Sequence, residues 1–101
     1  MFMELAMVQV IENRAEVEGQ LLAMRDDESR AGYKRATIAV RAVQPVESYP
    51  NLLGEAVGTT LEVVVPADAA HSLEVGSYLR CRARRTGPTT VFAETCSKIG
   101  P

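Results

Sequence analysis

Apolar and polar residues alternate along much of this chain with a period of two rather than three or four. Tyr33–Val43, YKRATIAVRAV, shows this best: Ala36, Ile38, Val40 and Ala42 share one side, and Tyr33, Arg35, Thr37, Ala39 and Arg41 share the other. Successive strand side chains point to opposite faces and β-branched residues suit a pleated surface, so this run predicts a half-buried strand. Thr59–Val65, TTLEVVV, predicts another, with Leu61, Val63 and Val65 inward and Pro66 as its stop. Val17–Met24, VEGQLLAM, predicts a strand in which Gly19 marks a bulge or sharp bend. Ser77–Arg85 and Thr89–Thr95 predict a hairpin about the turn Thr86-Gly87-Pro88. Met3–Glu12, MELAMVQVIE, is apolar on both sides except at Glu4, Gln9 and Glu12, which predicts an extra N-terminal strand covered twice.

The connections are legible from their punctuation. Residues 25–32, RDDESRAG, are polar and end in Gly, as a hairpin loop does. Asp26-Asp27-Glu28 lacks the spaced ligands and turn glycine of a calcium loop and reads as a solvated tip. Gln44–Gly58 carries Pro45, Pro50, Gly54 and Gly58 and predicts a long loop, the kind that often holds function. PADAAHSL, residues 66–73, predicts one or two helical turns opened by Pro66. The sum is an all-β chain, a small five- to six-stranded antiparallel barrel with one short helix between strands 3 and 4, counting Val17–Met24 as the first. That helix position is what an OB-fold requires. At 101 residues the chain makes one such domain, 1–101, with residues 1–12 as an additional strand available to an oligomer interface.

Charge changes the picture more than composition does. The formal net charge is −2, which argues against coating duplex DNA by charge alone. Residues 1–29 hold seven acidic side chains against Arg14 and Arg25, whereas nine basic residues face six acidic ones from Arg30 onward. A basic face is therefore available. Cys81 and Cys96 have neither a CxxC partner nor metal-ligand spacing, so the expectation is two reduced thiols in a cytoplasmic protein. Met1–Met7 is interrupted by Glu4 and has no basic segment before it, unlike a signal peptide or a membrane span. His71 has no nearby Cys or paired carboxylate and is expected at the surface or a helix end. No nucleophile with a paired base, phosphate loop or zinc motif appears, so no catalysis, cofactor or metal is expected.

HSLEVGSYLRCRARR, residues 71–85, resembles the stretch of the bacterial single-stranded-DNA-binding family, including its primosomal replication members, where a short helix passes through a Gly-Ser turn into the fourth strand. Asn13–Leu22, NRAEVEGQLL, is similar to that family's opening strand, and VFAE, Val91–Glu94, falls where its last strand does. The likeness covers residues 13–99 as strand order and a few small residues. It implies an OB-fold, single-stranded DNA or RNA as partner, and a role accessory to replication as a homodimer.

Arg80, Arg82 and Arg84 alternate with Leu79, Cys81 and Ala83, so their guanidiniums share one face. A turn centred on Gly87 sets Arg80 opposite Glu94, Arg82 opposite Phe92, Arg84 opposite Thr90, Cys81 opposite Ala93 and Ala83 opposite Val91. The expected interface is Tyr33, Lys34, Arg35 and Arg41 on one strand with Arg80, Arg82, Arg84, Arg85 and Phe92 on the hairpin. The chain has no Trp, two Phe and three Tyr, so binding would be mainly electrostatic and strongly salt-dependent. The same stripe equally fits a solvated face that keeps an edge strand from pairing, with Arg80–Glu94 as a cross-strand ion pair. Phe92 equally fits the centre of a dimer contact, and Tyr49 and Tyr78 fit either core rim or stacking platforms. The alternative function is a protein-interaction or assembly module that oligomerises through Met3–Ile11.

Overall fold

The computed structural model describes residues 12–99. The order is β1 (Ala15–Asp26), β2 (Tyr33–Pro45), β3 (Thr60–Pro66), α1 (Ala67–Ala70), β4 (Tyr78–Arg85) and β5 (Val91–Lys98), with a 3-10 turn at Gly54–Ala56. The strands close a barrel in the order β1-β2-β3-β5-β4. This is the expected OB-like barrel, with its short helix between β3 and β4. Its closing contact, Val64 beside Phe92, is parallel, so the barrel is mixed rather than wholly antiparallel. The expected strand Met3–Glu12 lies outside the described residues except for Glu12.

Each of the five strands pairs with two neighbours, which closes the barrel. β1 pairs with β4 through Ala15–Gln20 and with β2 along its whole length. It bends at two register shifts, at Glu18/Gly19 and at Leu21/Ala23. A bulge adds one unpaired residue and sharpens the local twist, which a small barrel needs to turn its corner. Gly19 permits the first shift because a Cβ there would overlap the Ala39 carbonyl oxygen and lie 2.8 Å from Ile38 Cγ2. The same shift leaves Arg41 unmatched on β2. Beyond it the inward position passes from Ala42 to Val43, which packs on the core, contrary to the simple alternation.

The interior is filled from every strand: Val17 and Leu21, Ala36, Ile38 and Val40, Val63 and Val65, Leu79 and Ala83, Val91 and Ala93. Leu61 packs at its margin as expected. The long loop after β2 contributes Leu53, which is fully buried, and Ala56. Helix α1 is one turn, four residues, within the expected one or two, and Pro66 stays extended as the last residue of β3 and caps the helix rather than opening it. Ala70 of α1 is buried, and exposed His71 is its C-cap. The chain then turns at Gly76, whose φ of 98° suits glycine, so that its N–H donates to the Leu21 carbonyl at 2.7 Å.

Cys81 and Cys96 are not free thiols. They are register partners across β4 and β5 and form a disulfide, with Cα atoms 4.1 Å apart. The expected register missed this for two physical reasons. The β4–β5 connection spans Thr86–Thr90, closed by the Thr86 N–H donating to the Thr90 carbonyl, so its centre lies past Gly87. A bulge then leaves Glu94 unmatched, since Arg82 pairs with Thr95 and Ala83 with Ala93. Hence Arg80 faces Ser97, Arg84 faces Phe92 and Arg85 faces Val91. Among the described residues no helix is long and apolar enough to cross a membrane.

Candidate nucleic-acid interface

Arg80, Arg82 and Arg84 do project together from β4, each close to half exposed, between buried Leu79, Cys81 and Ala83. Each guanidinium meets a carboxylate from a neighbouring strand. Arg80 Nε donates to Glu18 Oε2 at 2.9 Å, and Arg82 Nη2 to Glu16 Oε2 at 3.2 Å. Arg84 Nε lies 3.5 Å from Glu94 Oε2, so Glu94 serves Arg84 rather than Arg80. Arg41 shares Glu18 at 3.7 Å and lays its guanidinium 4.9 Å from the Tyr78 ring. The β1–β4 wall is therefore a neutralised ladder rather than a bare cationic track. Exposed pairs of this kind contribute only about 0–1 kcal/mol each, yet they fix where the guanidiniums point.

The other predicted residues gather on a different wall. Val63 and Val65 face the core, which turns Val64 outward, and it is nonetheless only 1% exposed. Its register neighbours are Arg35 on β2 and Phe92 on β5. Tyr33 meets Phe92 edge to face, the ring centroids 6.1 Å apart at 81°. The Arg30 and Arg84 guanidiniums lie 5.1 and 5.9 Å from the Phe92 centroid. Such a cation over an aromatic face is attracted by the ring quadrupole. Beside Tyr33 the surface dips into an open hollow of about 430 Å³, lined by Asp27, Arg30 and Lys34 among others. Tyr33, Arg35, Arg84 and Phe92 are thus brought together. Arg41, Arg80 and Arg82 belong to the ladder. Arg85 is taken up structurally: its backbone N–H and carbonyl pair with the Asn13 amide, and Nη1 donates to the Pro88 carbonyl.

Asp27, expected on a solvated tip, is 6% exposed and organises this wall. Its Oδ1 accepts from the Ser29 N–H at 2.8 Å, the Asx turn that closes the β1–β2 loop. Its Oδ2 accepts from Arg30 at 3.2 Å and Arg35 at 3.5 Å, which holds the Arg30 guanidinium over Phe92 and ties Arg35 beside it. The Ser29 N–H above all holds the Asp27 carboxyl below 3.8, outweighing the upward push of burial, with Arg35 and Arg30 adding to it. Asp26 is likewise held low, by its hydrogen bond from Lys34. Arg35 and Arg25 also share Glu62, at 3.3 and 3.6 Å.

On the far side of Arg84 the wall continues. Arg14 grips Glu94 with two donors, Nε to Oε1 at 3.0 Å and Nη2 to Oε2 at 2.9 Å, and its guanidinium covers the Tyr49 ring at 4.7 Å. Sequence reasoning left out Arg14, Arg30 and the ordering role of Asp27. Asp27-Glu28-Ser29 is the signal that was present, since Asp two residues before Ser is an Asx-turn pattern. Arg14 gave no local signal, because its partner lies 80 residues away. Among the described residues no group of three or more His, Cys, Asp or Glu side chains could hold a metal ion. No protein-family model and no curated protein sequence matches the chain.

Proposed function

We propose that this barrel binds single-stranded nucleic acid on its β2–β3–β5 wall, acting by binding rather than catalysis. The observation that carries the reading is the Tyr33–Phe92 pair flanked by the Arg30 and Arg84 guanidiniums. OB-folds take up oligonucleotides on the face of strands 2 and 3 and in the loops joining strands 1–2 and 4–5. Tyr33 and Arg35 stand on β2, Arg30 in the first of those loops, and Arg84 and Phe92 at the base of the second. Bases stack on aromatic rings and guanidinium planes at about 1–3 kcal/mol each, while the guanidinium edges meet phosphates. A role accessory to replication follows from the resemblance of residues 71–85 and belongs to the same proposal.

Fluorescence polarisation of a labelled thymidine oligomer tests it. Phe92→Ala should weaken binding about tenfold, the value of one lost stacking contact. Arg80→Gln with Arg82→Gln, on the ladder wall, should leave it within about twofold. Binding lost through the ladder variant and kept in Phe92→Ala would move the site back to β4, and no binding at low salt would end the proposal.

A further inference from the structure

We infer that Glu94 occupies a phosphate subsite of this wall and holds it closed. The inference rests on the reading above that the wall takes single strands. Two arginines converge on one carboxylate: Arg14 as a two-pronged fork at 2.9 and 3.0 Å, and Arg84 as an ion pair with Nε 3.5 Å away. A planar guanidinium fork recognises carboxylate and phosphate oxygens with the same geometry. Each arginine also lies over a ring, Arg14 on Tyr49 and Arg84 on Phe92. The Glu94 carboxylate thus sits between two ring-backed guanidiniums, where a strand lying along the wall with its bases on either side would place the linking phosphate.

Glu94 is also the residue left unmatched by the β5 bulge. Bulges re-aim single side chains beside functional surfaces, and this one turns a carboxylate into the middle of the aromatic track. The subsite is reachable from solvent, since the Glu94 side chain keeps 30% of its exposure and Arg84 44%. The ligand class follows: at least two stacked bases joined by one phosphate, exchanging that phosphate for Glu94. On the ladder Glu18 likewise meets two arginines, Arg80 and the ring-backed Arg41, but Glu16 differs. It pairs with Arg82, and the cation–ring contacts among the described residues involve Arg14, Arg30, Arg41 and Arg84 instead.

The test compares wild type, Glu94→Gln, Glu94→Ala and the ladder control Glu16→Gln in thymidine-oligomer titrations at several salt concentrations. Melting curves confirm that each variant is folded. Freeing the subsite should tighten binding about fivefold or more in both Glu94 variants and add one phosphate contact, steepening the slope of log affinity against log salt by about 0.7. Glu16→Gln should stay near wild type. Wild-type binding with no gain in either Glu94 variant, or an equal gain in Glu16→Gln, overturns this inference and leaves the binding wall standing. Absence of binding in every protein overturns both.

Discussion

The salt dependence of oligonucleotide binding discriminates between the two walls, and its size follows from counting charges. A cation already paired with a carboxylate gains a phosphate only by releasing that carboxylate, which then recruits its own counterion. Net release therefore follows the surplus of cations over carboxylates at the site. Setting aside Glu12, which is 75% exposed and 3.9 Å from Arg14, the five guanidiniums of Arg14, Arg25, Arg30, Arg35 and Arg84 on the β2–β3–β5 wall share the three carboxylates of Asp27, Glu62 and Glu94, which leaves a surplus of two. For single strands that surplus gives a slope of about −1.4, so a fourfold rise in salt should weaken binding about sevenfold. Seven unpaired contacts from Lys34, Arg35, Arg41, Arg80, Arg82, Arg84 and Arg85 would give about −4.9 and a loss near ~900-fold. Polarisation titrations from low to moderate salt measure the slope directly. A value steeper than about −4 would show that the carboxylates release their arginines freely, and the ion-pair reasoning would be wrong.

Three further outcomes are expected. Asp27 should titrate below 3.8 by carbon-detected NMR of its carboxyl. A depressed folded value means that its contribution is complete above 3.8 and fades as pH falls through the folded midpoint, so the Arg30 and Arg35 contacts should loosen only in that acid range; an ordinary midpoint would remove Asp27 from its organising role. Gly19→Ala forces a Cβ into the Ala39 carbonyl and should lower stability by about 1–3 kcal/mol in urea melts, with an unchanged midpoint counting against the close approach. Oxidised protein should be lighter by two hydrogens in intact-mass spectra, and reducing Cys81–Cys96, which are 15 residues apart, should cost about 3 kcal/mol; two titratable thiols in the untreated protein would contradict the bond.

The strands were readable because each depends on local alternation and on Gly or Pro at its ends, as β2, β3 and the Gly19 bend in β1 show. Register between β4 and β5 was not, because a five-residue connection and an unmatched Glu94 are backbone choices that leave no trace in polarity. The misplaced register hid both the disulfide and the partner of Arg84. Residue type pointed to Tyr33, Arg35, Arg84 and Phe92, since aromatic and guanidinium groups on outward positions are visible in an alternating run. Which arginines are neutralised depends on strand order. Glu18 and Glu16 stand 62 and 66 residues before Arg80 and Arg82, and only barrel closure makes them neighbours. The apparent stripe and the aromatic wall look alike in sequence for that reason, and they part company only when β1 is laid beside β4.

The crowding at position 19 reaches beyond stability. Every other residue type would push a side-chain carbon into main-chain atoms of the adjoining strand, where no rotamer can relieve it. A distant relative whose surface charges and loops have all been rewritten would still need the smallest residue at this corner, followed two places later by a large buried aliphatic such as Leu21. That spaced pair offers a way to recognise kinship after overall identity has faded, and it can be sought without reference to any ligand.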